Sequence, residues 1–386
     1  MDESLSRELR ELVRLAEEVS ATHIAPLAET VDREARWPAH AFRALSDAGL
    51  MGLQVPKRLG GHGQGLLALG RVVEAIAQAC PSSALCFGMH CVGSAVIAAK
   101  ATKDQEERYL RPIAEGRHIT TLALSESGAG AYFYLPQTKL GNAGDAYLVD
   151  GTKQFVTNGG HADSYVVSTL ASVESDAGDF SCLVVDGKGE GLSWLAQWEG
   201  LGMRGNASRG LKLDAARVPK ANLLGEEGDQ VWYVFEVVAP YFLMAMSAVY
   251  LGIAASALEL AVADARSREH THTGQTLAAE PVVQYRMADL WLRHQQARQL
   301  VYETARLADV GDPSTLPMLL ASKTAAATAA VDIANGALDL GGGRAYRDNG
   351  RLAQALRDAR AGHVMAPTTD LLKLWLGRAI LDVPLL

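Results

Sequence analysis

The sequence predicts an α+β protein in which an N-terminal helical region, a middle antiparallel β region and a C-terminal helical bundle follow one another. Apolar residues recur at helical spacing in the first third of the chain. Short alternating runs rich in β-branched residues fill the middle, and the helical period then returns and holds to the end. We place the three domains at residues 1–118, 119–222 and 223–386. A chain of 386 residues is long enough for two or three domains with a sizeable core.

The N-terminal region shows helical spacing from its start. Leu5, Leu9 and Leu12 recur at the spacing of successive helical turns, and comparable patterns continue to about Gly116. A glycine-rich run that begins at Gly60 interrupts these patterns and is typical of a loop. This part of the chain is therefore expected to be helical with one conspicuous loop.

The middle region consists of short strand-like runs, among them ITTLAL, AYLV, KQFVT, SYVVSTL and FSCLVV. Asp150 and Gly151 lie between AYLV and KQFVT. An Asp-Gly pair between two alternating runs is a strong signal for a two-residue hairpin turn. We therefore predict a β-hairpin at this point.

The C-terminal region has long helical patterns over residues 227–269, 281–310 and 314–340, and a last helix is predicted to begin near Pro367. Four long helices joined by short loops predict an antiparallel bundle. One stretch, 237–258, is uncharged over a length that could span a bilayer. Because it continues directly into a charged helical run and no other segment resembles it, we interpret it as a helix buried inside the bundle. No membrane association is expected.

Composition and charge narrow the possible functions. Charged residues make up 21% of the chain, the formal net charge is −8, and no cluster of Lys or Arg is interleaved with aromatics, so a nucleic-acid partner is not expected. Cys80, Cys86, Cys91 and Cys182 form no CxxC pair, which argues against a zinc or dithiol site and suits a reducing compartment. The N-terminal segment lacks the cationic start and apolar core of a signal peptide, and we expect a cytoplasmic protein.

Five segments, taken in order, resemble the acyl-CoA dehydrogenase family of flavoproteins. The first, ALSESGAG at residues 123–130, resembles the family's LTEPxAGSD loop at the start of the β domain. The resemblance implies that Leu124 and Ser125 lie against the flavin pyrimidine ring, with the Ser125 hydroxyl in place of the family's Thr. Ala131 and Tyr132 stand where the family has Ser and Asp, on the side that faces the substrate's pantetheine.

The second and third segments belong to the same β domain. The run DGTKQFVTNG resembles the family's NGxKxWITNG strand, which implies that Phe155 lies beside the isoalloxazine and that the Thr157 hydroxyl approaches flavin N5. A donor at N5 stabilises charge as the flavin is reduced. Residues 201–228 resemble the segment that closes the β domain, where Arg204 and Ser208 match positions that line the substrate mouth.

The fourth and fifth segments match contacts that the family makes to the rest of FAD. Arg268 matches the Arg that reaches the pyrophosphate of a neighbouring subunit's flavin, and a guanidinium suits a bidentate phosphate contact. Gly342 and Gly343 match the glycines that meet the adenosine half of FAD across a subunit interface, and Asp339 replaces the family's Gln. The resemblance thus implies FAD and a homodimer or homotetramer. Two histidines after Arg268 lack an acidic or thiol partner, so no metal site is predicted.

The position of the catalytic base departs from the family pattern. The family's carboxylate follows RDAR…YEGT, and the segment RDARAGHVMAPTTD puts Met365 at the Tyr, Ala366 at the Glu and Thr368 at the Thr. Some members keep the Glu on the first long helix of the bundle, where this chain has PYFLMAMS, with Phe242 and no acid. By resemblance, Thr368 lies on the cofactor side, and Phe242 and Ala366 lie on the substrate side. Both usual base positions are apolar.

Three nearby residues could supply a base instead. His363 would suit proton transfer near neutral pH, Glu280 lies in a loop that could face the bundle, and Asp370 follows the gap by four residues. Structural roles compete with this interpretation. Asp370 suits the first turn of a helix whose first residue is Pro367, and His363 suits local packing or hydrogen bonding.

Three functions are compatible with this pattern. The first, favoured by the family resemblance, is an FAD-dependent dehydrogenase of an acyl thioester or related carbonyl compound, with an unidentified base and a flavoprotein or reductase as electron partner. The second is a flavin-dependent oxygenase on the same scaffold, which reacts reduced flavin with O₂ and needs no α-proton base. The third is a non-catalytic subunit that completes another chain's FAD site. Retention of Ser125, Thr157 and Arg268 argues against the third.

Overall fold

The computed structural model describes residues 5–172, 179–347 and 349–385. Its elements confirm the predicted fold class, since helices come first, strands follow and helices return. The N-terminal helices are α1 (Arg7–Val19), α2 (Ala28–Arg33), α3 (Ala39–Asp47), α4 (Leu66–Ala79), α5 (Pro81–Ala99), α6 (Lys103–Gln105) and α7 (Arg111–Ala114).

Helix α1 illustrates how the local sequence sets these elements. The Ser6 hydroxyl accepts a hydrogen bond from the backbone N–H of Leu9, a typical N-cap, and Leu9, Leu12 and Val19 are buried along one face. Helices α4 and α5 are instead buried on nearly all sides. They therefore lie inside the molecule, between α1 and the C-terminal helices.

The middle region folds into two sheets. Its strands are β1 (Thr120–Ala123), β2 (Lys139–Ala143), β3 (Ala146–Val156), β4 (Ser164–Leu170), β5 (Phe180–Asp186), β6 (Leu192–Gln197) and β7 (Arg209–Pro219). One sheet has the order β1-β4-β5 and the other the order β2-β3-β7-β6. The second sheet is antiparallel as predicted, whereas β1 and β4 in the first sheet run parallel. A separate apolar core, which includes Tyr165, Val167 and Leu183, packs within this region.

The hairpin predicted at Asp150 and Gly151 is wrong. Strand β3 runs through both residues with a bulge, and the turn lies earlier, at Gly144 and Asp145, between β2 and β3. The Asp150 carboxylate accepts a hydrogen bond from the backbone N–H of Ala215 at 2.7 Å, which holds it to the neighbouring strand. Gly144 has a φ of 69°, the left-handed conformation that a tight turn requires.

The C-terminal region contains α8 (Gln230–Trp232), α9 (Ala239–Ser267), a two-stranded ribbon of β8 (Glu269–His270) and β9 (Gln275–Thr276), α10 (Pro281–Asp309), α11 (Thr315–Gly341), α12 (Arg351–Val364) and α13 (Thr369–Ile380). A π-helical segment joins α8 to α9. The long helices form the predicted bundle, in which α9 packs against α10 and α11 on one side and α4 and α5 on the other.

Two details of the last helices differ from the prediction. Helix α12 was not predicted, although Leu352, Ala355 and Ala359 are buried at helical spacing, because its many charges hide the apolar stripe. The last helix begins at Thr369 and not at Pro367. Its N-cap is Thr368, whose hydroxyl accepts a hydrogen bond from a backbone N–H in the first turn.

Three helical segments in the described ranges are long and apolar enough to cross a membrane, namely Pro81–Ala99, Gln230–Ser267 and Thr315–Arg344. The expectation that only segment 237–258 is long and apolar enough to span a bilayer is therefore wrong. Small residues give the other two segments a similar mean hydropathy. The apolar windows of the three are 89%, 78% and 50% buried inside the protein. The first two are thus apolar on nearly all sides because other elements of the fold surround them.

Candidate active site

A cavity of about 640 Å³ lies where the three regions meet. Its walls come from α5, from the end of β1 and the loop after it, from β3, from the loop before β7, from the start of α9, and from the end of α12 with the segment that follows. Of the residues predicted to bind cofactor or substrate, the cavity is lined by Leu124, Ser125, Ala131, Phe155, Thr157, Phe242, Ala366 and Thr368. Positions far apart in the sequence thus share one site.

One side of the cavity, which we call the cofactor wall, consists of Leu124, Ser125, Phe155 and Thr157. The backbone carbonyl of Ser125 accepts a hydrogen bond from the N–H of Gln154 at 2.8 Å, which ties the loop after β1 to β3. The side-chain hydroxyls of Ser125 and Thr157 form no hydrogen bond with any residue that the structure describes. Both hydroxyls are therefore available to a ligand in the cavity.

Large apolar side chains are exposed on this side of the site. Phe155 is 60% exposed and adopts a φ of 54°, and its ring meets that of Trp198 edge to face at 5.8 Å. Leu201, also in the lining, is 65% exposed. Exposed apolar groups around a concave apolar site are typical of a binding surface. This arrangement suits a flat aromatic ligand.

A buried ion pair adjoins the cofactor wall, with Glu126 in the cavity lining and Lys153 outside it. The Lys153 ammonium contacts the Glu126 carboxylate at 2.6 Å, and the same carboxylate accepts hydrogen bonds from Thr138 and from the backbone N–H of Gln137. Burial raises the pKa of Glu126, but Lys153 and these hydrogen bonds outweigh it and leave the pKa lowered. Burial lowers the pKa of Lys153 to about 8 against the attraction of Glu126. The pair is thus charged at neutral pH, and Glu126 is a poor proton acceptor.

A second group of lining residues, which we call the substrate wall because the family resemblance places this group beside the substrate, consists of Ala131, Phe242, Val364, Met365 and Ala366. None of these five side chains is ionisable. Ala366 follows the end of α12 and lies in the lining at the place that the family resemblance gives to the base. A methyl group therefore lines the cavity at the position that the resemblance assigns to the family's carboxylate.

A buried lysine supports the substrate wall from behind. The Lys323 ammonium donates hydrogen bonds to the backbone carbonyls of Gly362, Met365 and Pro367, at 2.6, 3.1 and 3.0 Å. These carbonyls belong to the end of α12 and the segment after it, where a cation also meets the negative end of the helix dipole. Burial lowers the pKa of Lys323 to about 7. Lys323 thereby fixes the backbone that carries Ala366.

A second buried carboxyl joins the three regions beneath the cavity. Asp358 of α12 accepts a hydrogen bond from the backbone N–H of Met203 at 2.6 Å, and burial raises the pKa of Asp358 to about 7. Its neighbour Arg357 contacts the Asp32 carboxylate at 2.5 Å and donates to the backbone carbonyl of Leu201. These contacts hold the loop before β7 against α12 and the N-terminal helices.

The structure brings none of the three candidate bases into the cavity. His363 lies outside the lining, with its Nδ1 3.1 Å from the Thr369 hydroxyl, and burial lowers its pKa. Glu280 directly precedes α10, and Asp370 is exposed in the first turn of α13. The structural roles considered for His363 and Asp370 therefore describe them better than a role in proton transfer.

Arg204 is also absent from the cavity lining, whereas its neighbour Ser208 contributes to it. Residues 203–207 form a tight turn with Met203 and Ala207 in left-handed conformations. This turn presents Met203, Asn206 and Ser208 to the cavity and leaves Arg204 outside. The prediction that Arg204 contacts substrate is not supported by its position.

The remaining predicted cofactor residues form a second cluster, away from the cavity. The Arg268 guanidinium donates to the backbone carbonyl of Gly341 at 3.2 Å, and it borders Gly342, which has a φ of 58°. Asp339 is exposed in the last turn of α11, and Gly343 is exposed in the short turn that follows the helix. If two subunits share one FAD site, the residues that contact the two ends of FAD belong to different chains and lie apart within each chain. The FAD-binding role of these residues stays a prediction.

Sequence reasoning missed the charged residues that support the site. Glu126 and Lys153 lie inside the two β-domain motifs, and Lys323 is the one charged residue of the alanine-rich stretch 315–331. A single charge within a long run of small and apolar residues was the available signal, because a buried charge needs a specific partner. The partners of Lys323 are backbone carbonyls, which no sequence pattern reveals.

Comparisons with known proteins agree with this architecture. Family models of the acyl-CoA dehydrogenase N-terminal, middle and C-terminal domains match residues 6–117, 121–216 and 241–381. Cyclohexane-1-carbonyl-CoA dehydrogenase of Geobacter metallireducens is 32% identical over 381 residues, which cover 97% of this chain and 98% of that protein. Acryloyl-CoA reductase (NADH) of Anaerotignum propionicum is 30% identical over 383 residues, which cover 99% and 96%. The structure of butyryl-CoA dehydrogenase from Megasphaera elsdenii matches with a TM-score of 0.92 at 25% identity, over 99% of this chain and 100% of that one.

The fold and the cavity define a flavin-dependent oxidoreductase. The three matched domains cover nearly the whole chain, and the relatives match it from end to end. The chain belongs to the acyl-CoA dehydrogenase family, as an FAD-dependent oxidoreductase that acts on CH–CH bonds.

The residues of the cofactor wall fit FAD. Its two hydroxyls without described partners, Ser125 and Thr157, would hold the polar edge of a flavin, and the exposed Phe155 and Trp198 rings would cover its face. FAD would supply a hydride acceptor in this cavity. The chain itself supplies the hydrogen-bond donors, the apolar enclosure and the orientation.

Proposed function

We propose that this enzyme oxidises the bond between the α and β carbons of an acyl thioester, with coenzyme A as the carrier, and that it does so without a carboxylate at the usual base position. The supporting observation is the placement of Ser125, Thr157 and Ala366 on the lining of one cavity. Hydroxyls that suit the flavin thus face a chamber whose other wall is apolar and has room for an acyl chain.

In this reaction, the residues of the chain orient the flavin and the acyl group. The cofactor wall donates hydrogen bonds, and the apolar side chains of Phe242 and Met365 pack around the acyl group and orient it. The carboxylate that is present, Glu126, is held by Lys153 and by two neighbouring residues, and it stays ionised as part of that pair. A water molecule that enters the cavity therefore has to accept the α-proton, and the acidity that the thioester gives to the α-carbon assists this transfer. We expect a rate about 10²–10⁴-fold below that of an enzyme with a placed base.

An anaerobic titration tests this function. Purified holoenzyme is mixed with butyryl-CoA and with longer and branched acyl-CoA compounds while the flavin absorbance is followed. The proposal expects slow bleaching by at least one thioester. No bleaching by any of them contradicts it. Turnover only with O₂ and an added reductase would identify an oxygenase, and less than one flavin per chain in the homo-oligomer would identify a partner subunit.

Three further properties belong to this proposal. A flavoprotein acceptor would reoxidise the enzyme, as expected for a dehydrogenase of this family. A homodimer or homotetramer would bring the Arg268 cluster of one subunit to the flavin of another, since that cluster lies outside the cavity of its own chain. A cytoplasmic location suits the four cysteines, which are all free and buried.

A further inference from the structure

Three charged residues line the cavity, Glu126, Arg357 and Arg360. Two of them are neutralised within the protein, because Glu126 contacts Lys153 at 2.6 Å and Arg357 contacts Asp32 at 2.5 Å. Arg360 forms no ion pair or hydrogen bond with the residues in the described ranges. The cavity lining therefore carries one positive charge that these residues leave uncompensated.

The position of Arg360 relates this charge to the acyl end of the site. Arg360, Ala361 and Val364 line the cavity from the last turns of α12, and Ala366 follows directly. A carboxylate at position 366 would share the cavity with Arg360 and balance its charge. Arg360 is exposed at the edge of the cavity, and with Ala366 in place no neighbouring carboxylate on this wall competes with a ligand for it.

We infer that Arg360 binds a carboxylate carried by the acyl group, so that the enzyme accepts thioesters whose acyl chain has a second, anionic end. A guanidinium presents paired donors that match a carboxylate, and Arg360 presents them at the edge of a largely apolar cavity, within reach of a ligand that enters from solvent. The carrier phosphates are the weaker candidates, because Arg360 lies on the same short segment as the position beside the reacting carbons. This substrate class extends the proposed function and requires that the enzyme oxidise acyl thioesters.

Binding measurements test the inference without relying on turnover. Isothermal titration calorimetry of the holoenzyme compares glutaryl-CoA with pentanoyl-CoA, which have acyl chains of the same length and differ in the terminal carboxylate. We expect glutaryl-CoA to bind more tightly than pentanoyl-CoA, and Arg360→Gln to reduce this preference about tenfold. Arg351→Gln is the matched control, because Arg351 is an exposed residue of the same helix outside the cavity, and it should leave the preference unchanged.

Other outcomes would overturn the inference. Equal loss of affinity for both thioesters in Arg360→Gln, absent with the phosphate-free N-acetylcysteamine thioesters, would show that Arg360 binds a carrier phosphate. A changed oligomeric state in Arg360→Gln with an unchanged preference would place Arg360 in a subunit contact. Failure of the proposed function looks different. In that case no thioester bleaches the flavin, whatever the preference between the two acyl groups.

Discussion

The two walls of the cavity each depend on a buried lysine, and the two lysines are held in different ways. On the cofactor side, Lys153 pairs with the Glu126 carboxylate at 2.6 Å. Behind the substrate wall, Lys323 donates to three backbone carbonyls of residues 362–367, and no carboxylate in the described part of the chain pairs with it. The cofactor side thus contains a complete charge pair that fixes its geometry. The substrate side is held by backbone contacts alone and presents no acid to the ligand.

Removal of the lysine on the cofactor side should have the largest effect on stability. Lys153→Met leaves Glu126 buried and unpaired, and breaking a buried pair in this way costs about 3–5 kcal/mol. Urea unfolding at pH 7 measures the loss. Lys212→Met is the control, because Lys212 pairs with Asp214 on the protein surface, where an ion pair contributes about 1 kcal/mol or less. Similar losses in the two variants would contradict the importance given to the buried pair.

Removal of the lysine behind the substrate wall should reduce the free energy of unfolding by a smaller amount and should weaken substrate binding. Lys323→Met leaves backbone carbonyls without their donor, at a cost of about 2–3 kcal/mol. Because these carbonyls belong to the segment that carries Ala366, acyl-CoA binding should weaken while the dissociation constant of FAD stays near that of the wild type. Lys373→Met, an exposed change on α13, should alter neither quantity. Weakened FAD binding in Lys323→Met with intact acyl-CoA binding would reverse the assignment of the two walls.

The buried carboxyl beneath both walls should make stability depend on pH. The pKa of Asp358 is raised by burial to about 7, from 3.8. Its contribution to stability is therefore complete below the lower value and is lost as the pH rises through about 7. Asp358→Asn removes this dependence. Relative to the wild type, the variant should gain about 2 kcal/mol in the free energy of unfolding between pH 5 and pH 7. Parallel pH profiles for the two proteins would show that the carboxyl does not titrate in this range.

Loss of one hydroxyl on the cofactor wall should have the smallest effect. The Thr157 hydroxyl is predicted to donate to the flavin, so Thr157→Val should raise the dissociation constant of FAD about two- to tenfold. The measurement is flavin fluorescence on dilution of the holoenzyme. Thr328→Val, an exposed change on α11, provides the control. An unchanged dissociation constant in Thr157→Val would remove this residue from the cofactor site.

The sequence anticipated the fold and the cofactor wall better than the rest of the site. Periodicity identified the order of helices and strands, and the motifs around Ser125 and Thr157 identified residues that share the cavity. The turn predicted at Asp150 is absent, because a long-range hydrogen bond to Ala215 overrides the local preference for a hairpin. The sequence also could not predict the direction of individual side chains. Arg204 lies outside the cavity because of a turn whose conformation no local pattern specifies.

Position 366 tests most directly the claim that the enzyme has an intact cofactor wall and lacks only a base. Anaerobic stopped-flow mixing with butyryl-CoA compares the wild type, Ala366→Glu and the uncharged, similarly sized Ala366→Gln. If the cofactor wall is competent, flavin reduction in Ala366→Glu should be about 10²–10⁴-fold faster than in the wild type, and Ala366→Gln should show no gain. Equal rates in Ala366→Glu and Ala366→Gln, with full FAD content in both, would contradict this account.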